Sequence, residues 1–255
     1  MTINWVGLYT FIRREVTRFL RVSVQTLVSP WISAALFLFV FGKVVGSRIS
    51  SIGGIPYIEF VLPGILMMNV LTSAFAHSSS SLYFQRFSHH IEEILVAPLS
   101  YTEMIVGYMV GALIRGILIG TGILVIGVLF GAATMAHPVL FVGYLIAVSF
   151  VFGLLGLLVG LWADGFEQLN ILTTFIITPL SFLGGMFNSI DMLPPALRSM
   201  TLWNPFFYFN DGLRYTMTGL HEMSLVTGAA IILGLLTVLF VLVVTLFKRG
   251  WRLRV

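Results

Sequence analysis

The segment from Arg86 to Glu103 concentrates ionisable side chains in a chain of 255 residues that is only 9% charged. Within it, His89 and Glu93 stand four residues apart and would share one face of a helix. That spacing is compatible with metal binding or with acid–base chemistry. A third and a fourth ligand are not evident in the sequence, and water around a loop would also satisfy these side chains. If water satisfies these side chains, the segment is a solvated acidic loop.

Several other chemistries are excluded because required residues are missing. The phosphate-binding pattern G-x-x-x-x-G-K-[ST] fails at Gly42-Lys43, because neither Ser nor Thr follows that pair. The pair His221-Glu222 lacks the second histidine of a zinc protease, since Leu225 stands at its position. The chain has no cysteine, which excludes thiolate metal sites and cysteine nucleophiles. We therefore expect no catalytic residue, no directly bound cofactor and no metal site.

The composition predicts an integral membrane protein. Hydrophobic residues make up 58% of the chain and charged residues 9%, whereas soluble domains carry about 25% charged residues. Too few polar groups are present to cover a water-facing surface. Crossing ~30 Å of hydrocarbon requires about 20 apolar residues in a helix. Six segments meet this requirement, at 23–45, 57–80, 104–130, 139–162, 169–187 and 226–247.

These segments predict an all-α membrane protein whose single transmembrane domain covers residues 1–255. The predicted domain contains an amphipathic interfacial helix at 1–21, six transmembrane helices and a polar loop at 86–103. Residues 188–225 are aromatic yet charged, and Pro194-Pro195 and Pro205 each suit the start of a short helix. We expect short re-entrant-type helices in that segment, before the last span.

The distribution of Lys and Arg predicts the orientation of the chain. With the amino terminus inside, nine of these residues lie on the cytoplasmic side and four on the outer side. Cytoplasmic loops of membrane proteins carry the excess of basic residues. Both termini are therefore expected in the cytoplasm.

Residues 1–21 combine an apolar face with a basic one. Apolar residues recur at helical spacing from Trp5 to Leu20, while the opposite face carries Arg14, Arg18 and Arg21. Such a helix lies in the membrane interface, where its arginines reach lipid phosphate or an acidic partner. A plain surface anchor that obeys the charge rule is the other interpretation, and the sequence leaves both open.

Three residues inside the spans are candidates for a translocation path or gate. Arg115 falls near the middle of the third span, where an arginine costs about 2.5–3.5 kcal/mol and must face protein or water. It is interpreted as a lining or gating charge, as a side chain that extends toward the inner interface, or as a partner of a carbonyl group. Pro30 and Pro179 kink the first and fifth spans unless neighbours compensate, and prolines are also tolerated in spans without any function.

The order of these motifs resembles the permease subunit of type-2 ATP-binding-cassette (ABC) exporters. The resemblance rests on the run RFSHHIEEILVAPLSYTEMIVGYMVG and on the later LGGMFNSIDMLPPALRSMTLWNPFFYFNDGLRYTMTG. It covers nearly the whole chain. The most specific part is Glu92-Glu93-Ile94-Leu95 followed by Ala97-Pro98.

The resemblance implies a function for the acidic loop. In that family the first cytoplasmic loop forms a coupling helix that enters a groove of a separate ATPase subunit. Glu92 and Glu93 would face basic groups of the ATPase, Ile94, Leu95 and Val96 would pack into the groove, and Pro98 would end the helix.

The resemblance also implies the partners and the cargo. ATP and Mg²⁺ would be bound only by the ATPase subunit, and the arginines of the first helix would brace against it. A second copy of the permease would complete the channel, most simply as a homodimer surrounded by membrane lipid. The expected activity is export of an amphiphile (a glycan, a lipid-linked molecule or a drug) across a bacterial inner membrane, and no nucleic acid is expected as a partner.

Two other classes of protein remain as alternatives. A secondary transporter driven by an ion gradient usually needs a carboxylate within the membrane, and the acids nearest the spans are Glu59 and Asp164, both close to predicted ends. An intramembrane enzyme would need clustered acids, bases or nucleophiles at one membrane face. The His and Glu residues of the acidic loop are the candidates for that role.

Overall fold

The computed structural model describes residues 4–253 and shows an all-α integral membrane protein. Six helices in this part of the chain are long and apolar enough to cross a membrane, which confirms the predicted number. They are Val24–Val45, Tyr57–Phe87, Tyr101–Leu129, Pro138–Trp162, Phe166–Leu183 and Leu225–Lys248.

The helices are numbered in chain order, and the first and fifth spans each contain more than one helical segment. The α-helices are α1 (Trp5–Leu20), α2 (Ser29–Phe39), α3 (Tyr57–Phe87), α4 (Ile91–Val96), α5 (Tyr101–Leu129), α6 (Pro138–Trp162), α7 (Phe166–Leu172), α8 (Thr178–Leu183), α9 (Pro195–Trp203), α10 (Pro205–Thr218) and α11 (Leu225–Lys248). Two short antiparallel strands, β1 (Ser51–Ile52) and β2 (Ile55–Pro56), form a hairpin in which Ser51 pairs with Pro56 and Ile52 with Ile55.

Helix α3 is the central element of the bundle and packs against α5 and α6. Close approach of α6 depends on small residues, because Gly156 faces the carbonyl oxygen of Phe75 and Gly160 faces that of Ser79. A Cβ atom at Gly160 would lie 2.8 Å from the Ser79 oxygen. The glycine pair therefore serves packing within one chain, as small residues do between membrane helices generally.

The prolines of the first and fifth spans follow breaks in the helical hydrogen-bond pattern. Pro30 lies at the start of α2, directly after a five-residue π-helical turn at Val24–Val28. Pro179 lies at the start of α8, directly after another such turn at Thr173–Ile177. A proline lacks the backbone donor, and a π-helical turn shifts the hydrogen bonds of the preceding turn. Both spans therefore depart from regular α-helical hydrogen bonding in the turn before the proline.

The two ends of the bundle are distinct. The end that carries α1, α4 and residues 249–253 is called the α1 face, and the end that carries the β-hairpin, α9 and α10 is called the hairpin face. At the α1 face, the guanidinium of Arg86 donates to the carbonyl oxygens of Gly160 (2.7 Å), Leu161 (2.8 Å) and Ala163 (3.2 Å), and also to that of Arg252 (2.6 Å). These bonds satisfy the carboxyl end of α6 and attach the last residues to it.

The hairpin face contains a basic residue of the segment 188–225, for which the sequence predicted short helices on the outer side. Arg214 of α10 is fully buried, and its guanidinium lies 3.7 Å from the centre of the Phe60 ring and 2.5 Å from the carbonyl oxygen of Gly185. Asp211, one turn earlier, accepts from the backbone amides of Glu222 and Met223. Burial raises the pKa of the Asp211 carboxyl and lowers that of Arg214 to about 10. Helix α10 is therefore part of the folded core.

Candidate functional site

The acidic loop forms a short helix that begins and ends at identifiable residues. Helix α3 has 31 residues and is ~46 Å long, so it extends well beyond ~30 Å of hydrocarbon. After it, His89 adopts a left-handed conformation (φ 60°), and α4 runs from Ile91 to Val96. Ala97 is extended (ψ 149°) before Pro98, as the residue before a proline prefers. The helix therefore projects from the α1 face as a separate element.

Helix α4 has one face buried in its own chain and one face exposed. Ile91 and Ile94 are 1% and 5% exposed and belong to a core cluster with residues of α5 and α6. Glu92 and Glu93 are exposed, and Val96 is 86% exposed. Ile94 therefore holds α4 against the bundle and does not face outward, which corrects the expected role of that side chain. Leu95 lies half-buried between the two faces and Pro98 is exposed.

The histidine and glutamate pair does not form the expected helical arrangement. His89 precedes α4 and has a positive φ angle, so it does not share a helical face with Glu93. Within residues 4–253, no group of three His, Cys, Asp or Glu side chains is placed to hold a metal ion.

The segment after α4 is attached to the start of α1. One oxygen of the Glu103 carboxylate accepts from the backbone amide of Asn4 at 2.6 Å. The other accepts from the backbone amide and the hydroxyl of Ser100 at 2.6 and 2.7 Å, in a capping box at the start of α5. The side-chain amide of Asn4 donates to the carbonyl oxygen of Pro98 at 3.1 Å. Hydrogen bonds around Glu103 thus join the start of α1 to the α4–α5 segment.

A second attachment lies midway along α1, at Glu15, whose side chain is fully buried. Its carboxylate accepts from the Ser81 hydroxyl at 2.5 Å and from the Gln85 side-chain amide at 3.1 Å, both on α3. Arg14 and Arg18 each approach the same carboxylate at 3.4 Å. Glu15 therefore fixes α1 on α3 through hydrogen bonds as well as charge.

The surroundings of Glu15 extend the network to α5. The Tyr108 hydroxyl donates to the side-chain oxygen of Gln85, and the ring of Tyr108 packs edge-on against Phe11 at 4.9 Å between centroids. Nε2 of His77, also fully buried, lies 3.5 Å from Glu15. Gly111 of α5 leaves room for the side chains of His77 and Glu15, because a Cβ atom there would lie 2.6 Å from Nε2 of His77 and 3.0 Å from Cβ of Glu15. Sequence reasoning missed Glu15 and named other acids as the nearest to the spans.

The predicted arginines gather around one cavity of about 1040 Å³ at the α1 face. Arg14, Arg18 and Arg21 line it from α1 and its end, and Arg115 lines it from the middle of α5. The wall from α3 and α4 includes Glu93. Of the three interpretations of Arg115, the cavity-lining one agrees with this position. Pro30 and Pro179 are not among the residues that line the cavity in the described part of the chain.

Comparison with known proteins assigns the family. The family model described as "ABC-2 type transporter" matches residues 7–218, which includes α1, α4 and the first five spans. The chain belongs to the ABC-2 type transporter family. The resemblance seen in the sequence is thereby confirmed.

Individual relatives agree with the ABC-2 assignment. The chain is 36% identical over 255 residues to the inner membrane transport permease YadH of Escherichia coli, a match that covers 100% of this chain and 99% of YadH. It is 24% identical over 223 residues to nodulation protein J of Rhizobium leguminosarum bv. viciae, covering 85% and 83% of the two chains. The corresponding protein of Rhizobium meliloti is 25% identical over 222 residues, covering 85% and 82%.

Membership of the ABC-2 family makes this chain a transmembrane subunit of an ABC transport system. The family implies an ABC ATPase as the partner and a transport role for the membrane subunit itself. Within the described residues, α4 is the element of the α1 face that offers two exposed carboxylates and an exposed apolar side chain on one short helix.

Proposed function

We propose that this chain is the membrane subunit of an ATP-driven exporter and that α4 is the element on which a separate ABC ATPase docks. The α1 face then lies in the cytoplasm together with both termini. The cargo is an amphiphile, and the membrane is a bacterial inner membrane, as it is for the inner membrane transport permease YadH of Escherichia coli. A second copy of the chain completes the transport path, and the ATPase alone binds ATP and Mg²⁺.

The observation that carries this proposal is the division of α4 into an anchored and an exposed face. Ile91 and Ile94 attach the helix to the core next to α5 and α6. Glu92, Glu93 and Val96 point away from that core and are available to a partner. Acidic groups favour a basic partner surface, and an exposed apolar side chain gives such a contact its buried centre.

The connections of α4 provide a route for movement. A displacement of α4 by the ATPase acts on α5 directly, because only four residues separate the two helices. It acts on α1 through the bonds between Glu103 and Asn4, and on α3 through the buried contacts of Glu15. The cavity between α1, α3 and α5 would change shape when these helices move against one another.

An ion-gradient mechanism is the alternative, and Glu15 is the residue that favours it. This buried carboxylate has the position that proton or sodium coupling usually requires. Its oxygens are, however, occupied by Ser81, Gln85, Arg14 and Arg18. These contacts, two of which come from α3, assign Glu15 to the packing of α1 on the bundle and not to the binding of a transported ion. The ATP-driven mechanism is therefore preferred.

Reversing the charge of the exposed α4 acids tests the proposal. The double variant Glu92→Lys and Glu93→Lys should weaken association with the ATPase by about tenfold or more, because two attractive contacts become repulsive. The measurement is co-purification of the two subunits, followed by ATP hydrolysis of the reconstituted complex. Both should fall together, while the melting temperature of the permease alone stays unchanged.

The matched control is Asp191→Lys, which reverses an exposed carboxylate at the hairpin face. It should leave association and ATP hydrolysis at the wild-type level. An α4 double variant that assembles and hydrolyses ATP normally contradicts the docking assignment. Transport by the purified chain without any ATPase, driven by a proton or sodium gradient, would favour the alternative.

A further inference from the structure

The cavity at the α1 face carries more positive charge than its surroundings neutralise. Five arginines line it: Arg13, Arg14, Arg18, Arg21 and Arg115. Two carboxylates lie close to these arginines. Glu93 is part of the lining, and Glu15 lies beneath it. Glu15 is shared between Arg14 and Arg18. Three guanidinium groups thus have no ion-pair partner among residues 4–253.

The guanidinium of Arg115 is the least satisfied of these groups. Among the described residues it makes no hydrogen bond, and its Nε atom is buried without a partner. The Nε atom of Arg18 is also buried without a partner. An unpaired charge in the middle of a span and a buried donor without an acceptor both destabilise the protein. An anion with several acceptor oxygens would satisfy both groups.

Phosphate is such an anion. Arginine binds phosphate through paired N–H donors, and several arginines around one cavity match the spread of oxygens on a phosphate group. The volume of about 1040 Å³ also exceeds that of a phosphate ion, so the cavity has room for a larger headgroup.

The apolar part of the lining indicates that the anion is attached to a hydrophobic tail. Val22 and Phe84 belong to the lining and are 48% and 46% exposed. Val22 lies two residues before the first span, so it leads from the arginines toward the hydrocarbon. Charged and apolar groups side by side suit a molecule that has both parts.

We propose that this cavity binds the phosphate headgroup of an anionic amphiphile from the membrane leaflet at the α1 face, with Arg115 and Arg18 as the inner ligands and the tail leaving past Val22 and Phe84. The proposal rests on the proposed function in one respect, because it names the chemical class of the exported molecule. Binding itself requires the permease alone.

Binding is measured on the purified full chain in a neutral detergent. The probes are phosphatidic acid, phosphatidylcholine and inorganic phosphate, and the readout is their dissociation constant together with the melting temperature. Phosphatidic acid should bind and raise the melting temperature, phosphatidylcholine should do neither, and inorganic phosphate should bind more weakly because it has no tail. Inorganic phosphate that binds as tightly as phosphatidic acid overturns the amphiphile part of the proposal.

Arg115→Gln is the decisive variant because it removes an unpaired charge. It should weaken the binding of phosphatidic acid about tenfold to a hundredfold, because hydrogen bonds to a charged group are lost. Without ligand, its melting temperature should equal or exceed that of the wild type. Arg115→Lys keeps the charge without the paired donors and should show an intermediate affinity.

The matched control is Arg198→Gln, which removes an exposed arginine at the hairpin face. Its affinity for phosphatidic acid should be unchanged. The site is overturned if Arg115→Gln binds phosphatidic acid as tightly as the wild type does. It is also overturned if Arg198→Gln loses as much affinity for phosphatidic acid as Arg115→Gln does.

Whether the anionic amphiphile is also the transported cargo is tested separately, in the complex with the ATPase. Phosphatidic acid should stimulate ATP hydrolysis of the wild-type complex and not of the Arg115→Gln complex. Binding without stimulation overturns the assignment of this amphiphile class as cargo and leaves the docking of α4 unaffected. Loss of assembly in the α4 double variant concerns the proposed function alone, because binding of phosphatidic acid is measured on the wild-type permease and its arginine variants without the ATPase.

Discussion

At the scale of single residues, Glu15 determines how α1 packs on the bundle. Its side chain is completely buried although it belongs to a helix whose other charged residues are largely exposed. A buried charge is tolerated only when donors replace water, and Ser81 and Gln85 of α3 supply two of them. The residue therefore acts as the specific contact that selects one orientation of α1.

Glu15→Gln should destabilise the folded protein. The variant removes the charge that faces Arg14 and Arg18 and leaves one acceptor for the donors of Ser81 and Gln85. A buried donor left unsatisfied costs about 1–3 kcal/mol, so a clear decrease in melting temperature is expected in detergent solution. Glu167→Gln, at an exposed carboxylate, is the control. Equal melting temperatures for the two variants would contradict this role.

The sequence predicted the arginines of α1 but not the buried face of the helix. Helical spacing predicted an apolar face from Trp5 to Leu20 that lies in the membrane interface, and the exposed side chains of Trp5 and Tyr9 are available for that contact. The structure adds a second face that is buried in the bundle and includes Phe11 and Glu15. Both faces satisfy a period of 3.6 residues, so the pattern alone could not choose between them. The choice depends on donors that stand 66 and 70 residues away in the chain, Ser81 and Gln85.

At the scale of elements, the parts that the sequence predicted best are those fixed by local physics. Six apolar segments of sufficient length gave the six spans, and Pro98 predicted where α4 ends. The inward direction of Ile94 was not predictable, because it depends on contacts that α4 makes with α5 and α6. The cavity around Arg115 likewise follows from the packing of three helices.

The hydrogen bonds around Glu103, which link α1 to the α4–α5 segment, can be tested separately from the docking of the ATPase. Glu103→Ala removes the acceptor of three hydrogen bonds, two to Ser100 and one to the backbone of Asn4. The ATPase should still bind, because the exposed face of α4 is unchanged. We expect transport per ATP hydrolysed to fall, since the start of α1 is then held to the α4–α5 segment by fewer hydrogen bonds.

Thr102→Ala is the control for this prediction, because Thr102 is exposed and adjacent to Glu103. The measurement is cargo uptake into inverted vesicles divided by ATP hydrolysed in the same sample. An unchanged ratio in Glu103→Ala would mean that movement reaches the spans without α1. A loss of ATPase binding would mean instead that Glu103 supports the docking surface itself.

At the scale of the whole molecule, the spans are unequally covered. The second and fourth spans are largely buried within the chain, whereas the first, fifth and sixth are mostly exposed. Lipid covers exposed apolar helices, and so does a second copy of the same chain. The first and fifth spans also contain the π-helical turns followed by proline, whereas α11 is one continuous helix. We infer that the irregular first and fifth spans face the second copy and that α11 faces lipid.

This arrangement can be tested by crosslinking, because the chain contains no cysteine of its own. Phe175→Cys lies in the fifth span and replaces a side chain that is 74% exposed, and Val238→Cys lies in α11 and replaces one that is 65% exposed. Oxidation of membranes should yield a covalent dimer for the first variant and monomer for the second, because the fifth span faces the second copy and α11 faces lipid. Equal crosslinking at both positions, or dimer at Val238→Cys alone, would place the contact between copies elsewhere. Since the two positions have similar exposure within one chain, any difference between them reports the assembly and not the accessibility of the thiol.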